Sequence, residues 1–548
     1  MSLQQSEEAW ASYQTWITQN GGFIHKSITF SSNTSGAGAG GFATATIPAG
    51  TTLLTCPYTM VMDYGKAKKE FPEAFITAVD SHAALCFFVS KEVLKGEKSF
   101  WAPYLSVLPK EFNTPLYFSE EDKQYLIGTN LAGNEVEQRR AAWKAEWESG
   151  LEALKKLRES TEGYTWELFL WASTVFTSRS FPEKLTHWDE KPAEGIRTYD
   201  EETTAALFPA VDSLNHKPHT AITWQPTADR LSLISGQQVE AGEEIFNNYG
   251  PKANEELLNG YGFTIPNNPT DTVTIKFNAP LTPEQDALRS QQTQPARPGI
   301  YHLRAYNNRA FPTDLTGLFH ILTASPSELP KLEANPSADI ISIRNEMSTM
   351  FQLFMAVSQK RMAYGPELGQ PQNDRQRCAA ILREGQIGIL EYFIQYSGSQ
   401  LKKLWDENIG EKAFTLETVL TDEQFANAVL ACFETRDIEE IIEAEQDDIV
   451  FVLYLCWKYL TSEEPKWRDW FKAMEQHYPL PEEDEEVDEG IEEVFDAIFP
   501  EAGEAAPNIF GGDKWNASVV EWVMGIYQSE GFNIILEGEP MYLISIEV

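Results

Sequence analysis

Cysteine is scarce in this chain. Its 548 residues include five cysteines, and no two of them form a CxxC pair. An odd, scattered set argues against a disulfide framework, and it lacks the ligand spacing of a structural zinc site. The sequence therefore predicts no bound metal. The five are Cys56, Cys86, Cys378, Cys432 and Cys456.

Long apolar runs are also missing. No apolar stretch reaches the roughly 18 residues that suggest a membrane-crossing helix. The opening residues, MSLQQSEEAWASYQ, lack the basic and then apolar order of a secretory signal peptide. We therefore expect a soluble protein of the cytoplasm, the nucleus or both, with no membrane partner.

Positive charge is the third shortage. The chain carries 43 basic against 82 acidic residues, for a net charge of −39. Contact with nucleic acid needs clustered Lys and Arg to neutralise phosphates, so we expect no direct nucleic-acid partner. A basic protein is the partner that long-range attraction would favour. The alternative is that the acidity serves only solubility.

The order of secondary-structure patterns indicates the domain organisation. Short β-rich segments near the N-terminus and around residues 206–263 flank a strongly helical stretch, and helical periodicity dominates after about residue 275. The sequence predicts an α+β fold with two domains. The first spans residues 1–275 and is interrupted by a helical insert over about 105–200, and the second, mainly α, spans 276–548.

Acidic residues are concentrated at one place in the second domain. Positions 482–493 hold nine Asp or Glu in twelve residues. Such a run is typical of a solvated loop, which we predict over about 481–493. A docking site for basic partners is the alternative.

A glycine-rich stretch near the N-terminus matches GxGxxG at Gly36, Gly38 and Gly41. A dinucleotide site needs a helix directly after these glycines. Here FATATI, a turn at Pro48 and Gly50, and the strand-like TTLLTCP follow instead. The glycines are therefore predicted to open a hairpin. Both a plain turn and a different ligand site lined by backbone remain possible.

Several ordered blocks resemble one enzyme family. They are GAGGFATATIPAGTTLL, SFWAPYLSVLP, GTNL, LWASTVFTSRSF, VDSLNHKP and FNNYGPKANEELLNGYGF, in this order along the chain. Together they resemble the SET-domain methyltransferases, in the branch of plant Rubisco lysine methyltransferase and fungal ribosomal-protein lysine methyltransferases. The resemblance covers about residues 20–265. Beyond that, it implies only a helical C-terminal domain that binds substrate.

The resemblance implies transfer of a methyl group from S-adenosylmethionine to a protein lysine. The expected substrate is a basic non-histone protein, most directly a ribosomal protein, and we expect a monomeric enzyme. Histone-type relatives often close the lysine channel with a cysteine-rich segment, and this chain has no cysteine between Cys86 and Cys378. Two alternatives remain, a histone or chromatin methyltransferase and a non-catalytic module that binds a basic protein.

Two tyrosines match the family's lysine channel. Tyr249 and Tyr261 would line the stem of the lysine, and Tyr249 is the predicted catalytic tyrosine. A lysine of pKa about 10.4 is only about 0.1% neutral near pH 7.4, a deficit of about 4 kcal/mol. A dry channel beside a cationic cofactor would lower that pKa. One member of the branch methylates an actin histidine and lacks a tyrosine at the position of Tyr261. The presence of Tyr261 in this chain therefore favours lysine as the methylated residue.

The remaining matches imply the cofactor site. Asn215 and His216 match a pair that holds the cofactor's amino group and adenine, and Asp212 would support their turn. Arg179 matches an arginine that faces the cofactor carboxylate, for which a planar bidentate donor is suited. The other predicted cofactor contacts are the glycine-rich turn, the catalytic tyrosine and an aromatic residue near adenine, namely Ala37, Gly38, Ala39, Gly40, Tyr249 and Phe263.

Overall fold

A computed structural model describes most of the chain in two compact units. The described residues are 7–31, 38–186, 204–295, 297–304, 310–338, 340–480, 487–512, 514–536 and 538–547. The first unit comprises those within Met1–Thr272 and Met362–Gly388, and the second those within Val273–Arg361 and Ile389–Val548. No helix in the described ranges is both long and apolar enough to span a membrane.

The first unit contains the predicted alternation of strands and helices. Its helices are α1 (Glu7–Gln19), α2 (Tyr64–Glu70), α3 (Glu73–Ile76), α4 (Ser81–Leu94), α5 (Ala102–Val107), α6 (Glu120–Lys123), α7 (Glu135–Lys156), α8 (Trp166–Arg179) and α9 (Asn254–Tyr261). Its strands are β1 (Phe23–Ile24), β2 (Ile28–Ser31), β3 (Gly40–Ala43), β4 (Thr52–Pro57), β5 (Phe181–Pro182), β6 (Ala205–Ala206), β7 (Ile222–Pro226), β8 (Arg230–Ser235) and β9 (Glu244–Ile245).

These strands form small antiparallel sheets that pair segments far apart in sequence. One sheet has the order β1-β4-β8-β7, a second has the order β2-β3-β9, and β5 pairs with β6. The predicted hairpin is therefore wrong in one respect. The glycine-rich strand β3 pairs with β2 before it and with β9, whereas β4 belongs to the other sheet. Local alternation predicts a strand but does not specify its partner.

The helices α1 and α8 show why the helical segments form where they do. In α1, the buried side chains of Trp10, Tyr13 and Ile17 recur with helical spacing on one face. The hydroxyl of Thr165 accepts a hydrogen bond from the Leu168 N–H at 3.2 Å and so caps the start of α8. This helix ends at Arg179, which places that side chain at the site described below.

The second unit is mainly helical, as predicted, and the α+β class is confirmed. Its helices are α10 (Pro283–Ser290), α11 (Thr313–Thr323), α12 (Leu329–Ala334), α13 (Ile343–Met362), the C-terminal part of α14 (Asp374–Asn408), α15 (Leu416–Val419), α16 (Glu423–Phe433), α17 (Ile438–Glu443), α18 (Asp447–Thr461), α19 (Pro465–His477), α20 (Glu489–Ala505), α21 (Pro507–Phe510) and α22 (Ala517–Glu530). Its strands are β10 (Val273–Lys276), β11 (Ile300–Leu303), β12 (Ala413–Phe414), β13 (Phe532–Leu536) and β14 (Glu539–Ser545).

Residues 362–388 differ from the predicted domain organisation. The prediction assigns them to the C-terminal domain, but they belong to the first unit. Arg375 donates a hydrogen bond to the Tyr117 carbonyl at 2.6 Å. Leu382 packs in a buried apolar cluster with Phe118 and Leu126. Contacts between residues more than 250 positions apart leave no local trace in a sequence.

The acidic run also differs in part from its prediction. Residues 481–486 lie outside the described residues. The last part of the run is not a loop, because α20 begins at Glu489, with the Asp488 carboxylate accepting a hydrogen bond from the Gly490 N–H at 3.0 Å. Acidic side chains in a first helical turn favour the helix through its dipole.

Candidate active site

The side chain of Asn215 joins the glycine-rich strand to β9. Its amide nitrogen Nδ2 donates to the Ala39 carbonyl at 3.1 Å and to the Glu244 Oε1 at 2.7 Å. Both partners are acceptors, so the orientation of the amide is fixed. The carbonyl oxygen Oδ1 is therefore the group with which Asn215 can bind a ligand.

Gly40 lies where a side chain would collide with this pair. A Cβ atom there would stand 2.5 Å from the Glu244 Oε1 and 3.0 Å from the Asn215 Nδ2. Gly38 has a φ of +84°, a conformation that favours glycine, and no atom lies within 4 Å of its would-be Cβ. Of the predicted turn, Ala37 lies outside the described residues. The described part is thus a backbone segment with no side chain larger than the Ala39 methyl group, and Asn215 binds it at the Ala39 carbonyl.

Two chain segments run side by side at the centre of the site. His216 and Asn247 form a parallel β-bridge. The Asn247 N–H donates to the Asn215 carbonyl at 2.7 Å, and the Lys217 N–H donates to the Asn247 carbonyl at 3.1 Å. This pairing brings Tyr249 next to His216, although the two motifs are more than 30 residues apart.

His216 is buried and has a defined tautomer. Its Nδ1 accepts a hydrogen bond from the Tyr249 N–H at 3.0 Å. Burial lowers the pKa of His216 to about 4, so the ring is neutral near pH 7 and carries its proton on Nε2. Among the described residues, this buried Nε2 has no hydrogen-bond partner. A buried donor without a partner is costly, which fits a ligand that accepts this hydrogen bond.

Three aromatic rings continue from His216 in a row. The rings of His216 and Tyr249 stack with centroids 5.0 Å apart, and those of Tyr249 and Tyr261 stack at 5.1 Å. Phe263 meets Tyr261 edge to face at 6.2 Å. The Tyr249 hydroxyl donates to the Leu214 carbonyl at 2.8 Å. The structure therefore brings both predicted catalytic tyrosines together.

Both tyrosines remain protonated at neutral pH. Burial raises the pKa of Tyr261 to about 12 and raises the pKa of Tyr249 as well. The nearby Arg179 guanidinium opposes the shift at Tyr249 without cancelling it. Neither hydroxyl can then act as a base that removes a proton near pH 7. They can orient other groups through hydrogen bonds.

Arg179 and Asp212 form the remaining part of the site. The Arg179 Nη1 donates to the backbone carbonyl of Asp212 at 3.0 Å and lies 3.9 Å from its Oδ2. The Asp212 carboxylate is fully buried and accepts a hydrogen bond from the Tyr104 hydroxyl at 2.6 Å. Burial raises the pKa of Asp212 to about 6, and Arg179 opposes this shift. Arg179 keeps about a fifth of its side chain exposed.

Sequence reasoning missed three side chains that contact the predicted residues. Glu244 binds Asn215, Tyr104 binds Asp212, and Tyr13 bonds to Ser213 beside it. Burial raises the pKa of Glu244, and the Asn215 amide opposes that shift. Glu244 stands in an ordinary turn-like AGEE segment and the two tyrosines in helices, so no local pattern identifies them.

The site fits the predicted cofactor on its own chemistry. Arg179 is a cation suited to a carboxylate, and the Asn215 Oδ1 is an acceptor suited to an ammonium group. The bare strand start at Gly40 admits a ligand against the backbone, and the His216 Nε2 needs an acceptor. S-Adenosylmethionine carries all of these groups together with an aromatic base.

The chain is similar to known methyltransferases over most of its length. The SET domain family model matches residues 38–250. Ribosomal lysine N-methyltransferase set10 of Schizosaccharomyces pombe is 30% identical over 94% of this chain and 98% of its own. Ribosomal lysine N-methyltransferase 1 of Saccharomyces cerevisiae is 26% identical over 67% of this chain and 71% of its own.

Two further similarities cover parts of the chain. Actin-histidine N-methyltransferase of Drosophila melanogaster is 30% identical over 39% of this chain and 41% of its own. The solved structure of Rubisco LSMT bound to AdoMet superposes with a TM-score of 0.57 at 20% identity, over 76% of this chain and 96% of that one. This structural likeness confirms the predicted fold. Together with the end-to-end similarity to set10, these matches establish that the chain belongs to the SET-domain protein lysine N-methyltransferases, which use S-adenosylmethionine as methyl donor.

Proposed function

We propose that this protein methylates a lysine of a ribosomal protein. The observation that carries the proposal is the meeting of distant segments at one site: Gly40, Asn215 with His216, and the stacked pair Tyr249 and Tyr261. Two ribosomal lysine N-methyltransferases among the similar proteins support the substrate class. The net charge of −39 favours a basic protein partner.

The cofactor would be held by the residues named above. Arg179 would bind its carboxylate, the Asn215 Oδ1 its ammonium group, and the His216 Nε2 an acceptor on the ligand. Gly38, Ala39 and Gly40 would border it with backbone, and Phe263 would lie near the adenine. When bound, S-adenosylmethionine supplies a methyl group on a sulfonium that is already activated for displacement.

The tyrosines would orient the lysine amine. Because the Tyr249 hydroxyl donates to the Leu214 carbonyl, its oxygen is left with acceptor capacity. An acceptor suits the N–H groups of the amine and directs the nitrogen lone pair elsewhere. The rings of Tyr249 and Tyr261 would border the aliphatic stem and exclude water, which lowers the amine pKa. Alignment of this kind is the main contribution that a direct displacement requires.

Three broader features belong to the same proposal. The second unit, mainly helical, would bind the protein substrate, and the enzyme would act as a monomer. A ribosomal substrate implies residence in the cytoplasm or the nucleus, where such proteins are made and assembled.

The test uses the purified full chain, isotope-labelled S-adenosylmethionine and total ribosomal proteins. We expect label on one ribosomal protein, with mass spectrometry assigning the methyl group to lysine. Tyr249→Phe should reduce transfer by about 100-fold or more, the usual cost of losing a positioned polar group in an active site. Cofactor binding by calorimetry should persist in this variant.

Tyr117→Phe is the matched control, because it removes a hydrogen-bonded hydroxyl of the same unit outside the site. It should transfer methyl groups at the rate of the unchanged protein. Label on histidine would overturn the lysine assignment, and full activity of Tyr249→Phe would remove that tyrosine from its role. Binding of ribosomal proteins without any transfer would favour a non-catalytic module.

A further inference from the structure

The N-terminal helix α1 reaches the candidate cofactor site through Tyr13. This side chain is fully buried, and its hydroxyl accepts a hydrogen bond from the Ala210 N–H at 2.7 Å. The same hydroxyl lies 3.1 Å from the Ser213 Oγ, about 200 residues away in sequence. A helix outside all of the family-like motifs therefore contacts the turn that leads into Asp212.

That turn contains a strained residue. Ala210 has a φ of +74° and a ψ of −57°, a conformation that residues with a Cβ rarely adopt. It persists only when the surroundings hold it in place. The Tyr13 hydroxyl is the group that binds the Ala210 N–H, so it fixes the strained residue directly.

The direction of the hydrogen bonds follows from their first and last members. A backbone N–H can only donate, so the Tyr13 oxygen accepts from Ala210. A carboxylate can only accept, so the single proton of Ser213 goes to Asp212, and the Ser213 Oγ accepts the proton of Tyr13. The Ser213 hydroxyl then donates to the Asp212 Oδ1 at 3.4 Å. The chain of donors runs one way, from Ala210 through Tyr13 and Ser213 to the carboxylate of Asp212.

A second buried tyrosine acts on the same carboxylate. Tyr104 is 1% exposed, and its hydroxyl donates to the Asp212 Oδ2 at 2.6 Å. The rings of Tyr13 and Tyr104 stack with centroids 6.1 Å apart. Asp212 in turn accepts from Arg179 through its backbone carbonyl at 3.0 Å. Both tyrosines thus determine where the acceptor of Arg179 lies.

We propose that Tyr13 and Tyr104 are positioning residues for Arg179, and through it for the carboxylate of the cofactor. The inference rests on the proposed role of Arg179. In this inference, α1 is a structural part of the methyltransferase site, because the Tyr13 hydroxyl fixes the strained turn and, through Ser213, holds Asp212, whose backbone carbonyl binds Arg179. Neither tyrosine touches the cofactor.

Two ligands separate positioning from a general loss of structure. S-Adenosylhomocysteine carries the amino-acid carboxylate, whereas 5′-methylthioadenosine has the same adenosine and sulfur but no carboxylate. Calorimetry on the full chain measures the Kd of each. For S-adenosylhomocysteine we expect the Kd to rise about fivefold in Tyr13→Phe and about tenfold in Tyr104→Phe, an effect on the scale of one buried hydrogen bond. The Kd of 5′-methylthioadenosine should stay unchanged.

Tyr13→Phe and Tyr104→Phe keep the aromatic rings and remove only the hydroxyls. Ser213→Ala is a third variant with a smaller change. It breaks the link between Tyr13 and Asp212 while leaving the Tyr13 to Ala210 bond, so it too should weaken S-adenosylhomocysteine selectively. Tyr117→Phe is again the control and should bind both ligands normally. Equal weakening of both ligands in the tyrosine variants, or no weakening of either, would overturn the inference. If the unchanged protein binds neither ligand, the proposed function itself fails.

Discussion

Gly40→Ala gives the sharpest test of the site, because most of its effect depends on the Glu244 side chain. The new Cβ would stand 2.5 Å from the Glu244 Oε1, where ordinary contact begins at 3.4 Å. The backbone itself accepts alanine, since Gly40 lies in β3 without a positive φ. Glu244 must therefore move by about 0.9 Å, the difference between these two distances.

The cost follows from what Glu244 holds. Its 2.7 Å bond to the Asn215 amide would break or lengthen, and a hydrogen bond to a charged group contributes about 1.5–3 kcal/mol. Alanine in a strand offsets about 0.5–1 kcal/mol of this through lower chain entropy. We expect a net destabilisation of about 1–2 kcal/mol, combining these two terms. The Kd for S-adenosylmethionine should rise about tenfold, because Asn215 loses its fixed orientation.

The assay is a double-mutant cycle with Glu244→Ala. Once the carboxylate is gone, the Cβ at position 40 no longer meets the Oε1, and only its 3.0 Å approach to the Asn215 Nδ2 remains. Gly40→Ala should therefore cost less in Glu244→Ala than in the unchanged protein. The two changes should therefore couple by about 1–2 kcal/mol in both urea unfolding and cofactor calorimetry. Gly369→Ala is the control, since no atom lies within 4 Å of its would-be Cβ. Additive energies, or normal cofactor binding by Gly40→Ala, would refute the reasoning.

Two further predictions concern stability. The Asp212 carboxyl, whose pKa burial raises from 3.8 to about 6, keeps in the folded protein a proton that the unfolded chain releases, so stability falls as pH rises from about 4 to 6. Asp212→Asn should remove that decline. At pH 7.5 its free energy of unfolding in urea titrations should exceed that of the unchanged protein by about 3 kcal/mol, and at pH 4 the two should be similar. Equal stabilities at both pH values would contradict this prediction. Gly262→Ala should lower stability by about 1–2 kcal/mol, since its φ is +80° and its Cβ would meet the Asn113 backbone at 3.1 Å. Gly365→Ala, with a φ of +64° and open space, should cost less in the same unfolding assay.

Much of the first unit could be predicted from local pattern. The predicted strand TTLLTCP corresponds to β4, and the helical insert predicted over about 105–200 contains α8. These segments have clear periodicity and capping residues. The family-like motifs add Asn215, His216 and Tyr249, whose contacts form through one short parallel pairing. Structure that depends on local sequence or on a recognisable motif can therefore be predicted from the sequence.

What the sequence could not provide depends on distance along the chain. The partner of β3, the attachment of residues 362–388 to the first unit, and the hydroxyl of Tyr13 at Ala210 all join segments that no window of sequence contains together. Glu244 is a further example, because its importance comes from Gly40 and Asn215 lying against it. These contacts arise only when the core is packed.

The side-chain donors of Asn215 and Tyr249 are bound within the protein, so these side chains favour ligand groups that are positively charged or donate hydrogen bonds. Both N–H groups of the Asn215 amide go to protein acceptors, and the single proton of Tyr249 goes to the Leu214 carbonyl. Each side chain is left with acceptor capacity only. A sulfonium, an ammonium group and a lysine amine offer positive charge or N–H donors, so acceptors are the matching groups. Arg179 and the His216 Nε2 are the exceptions, and they match the parts of the cofactor that accept hydrogen bonds. In the proposed site, donors for the carboxylate and the base and acceptors for the ammonium group would therefore be in place before the ligand binds.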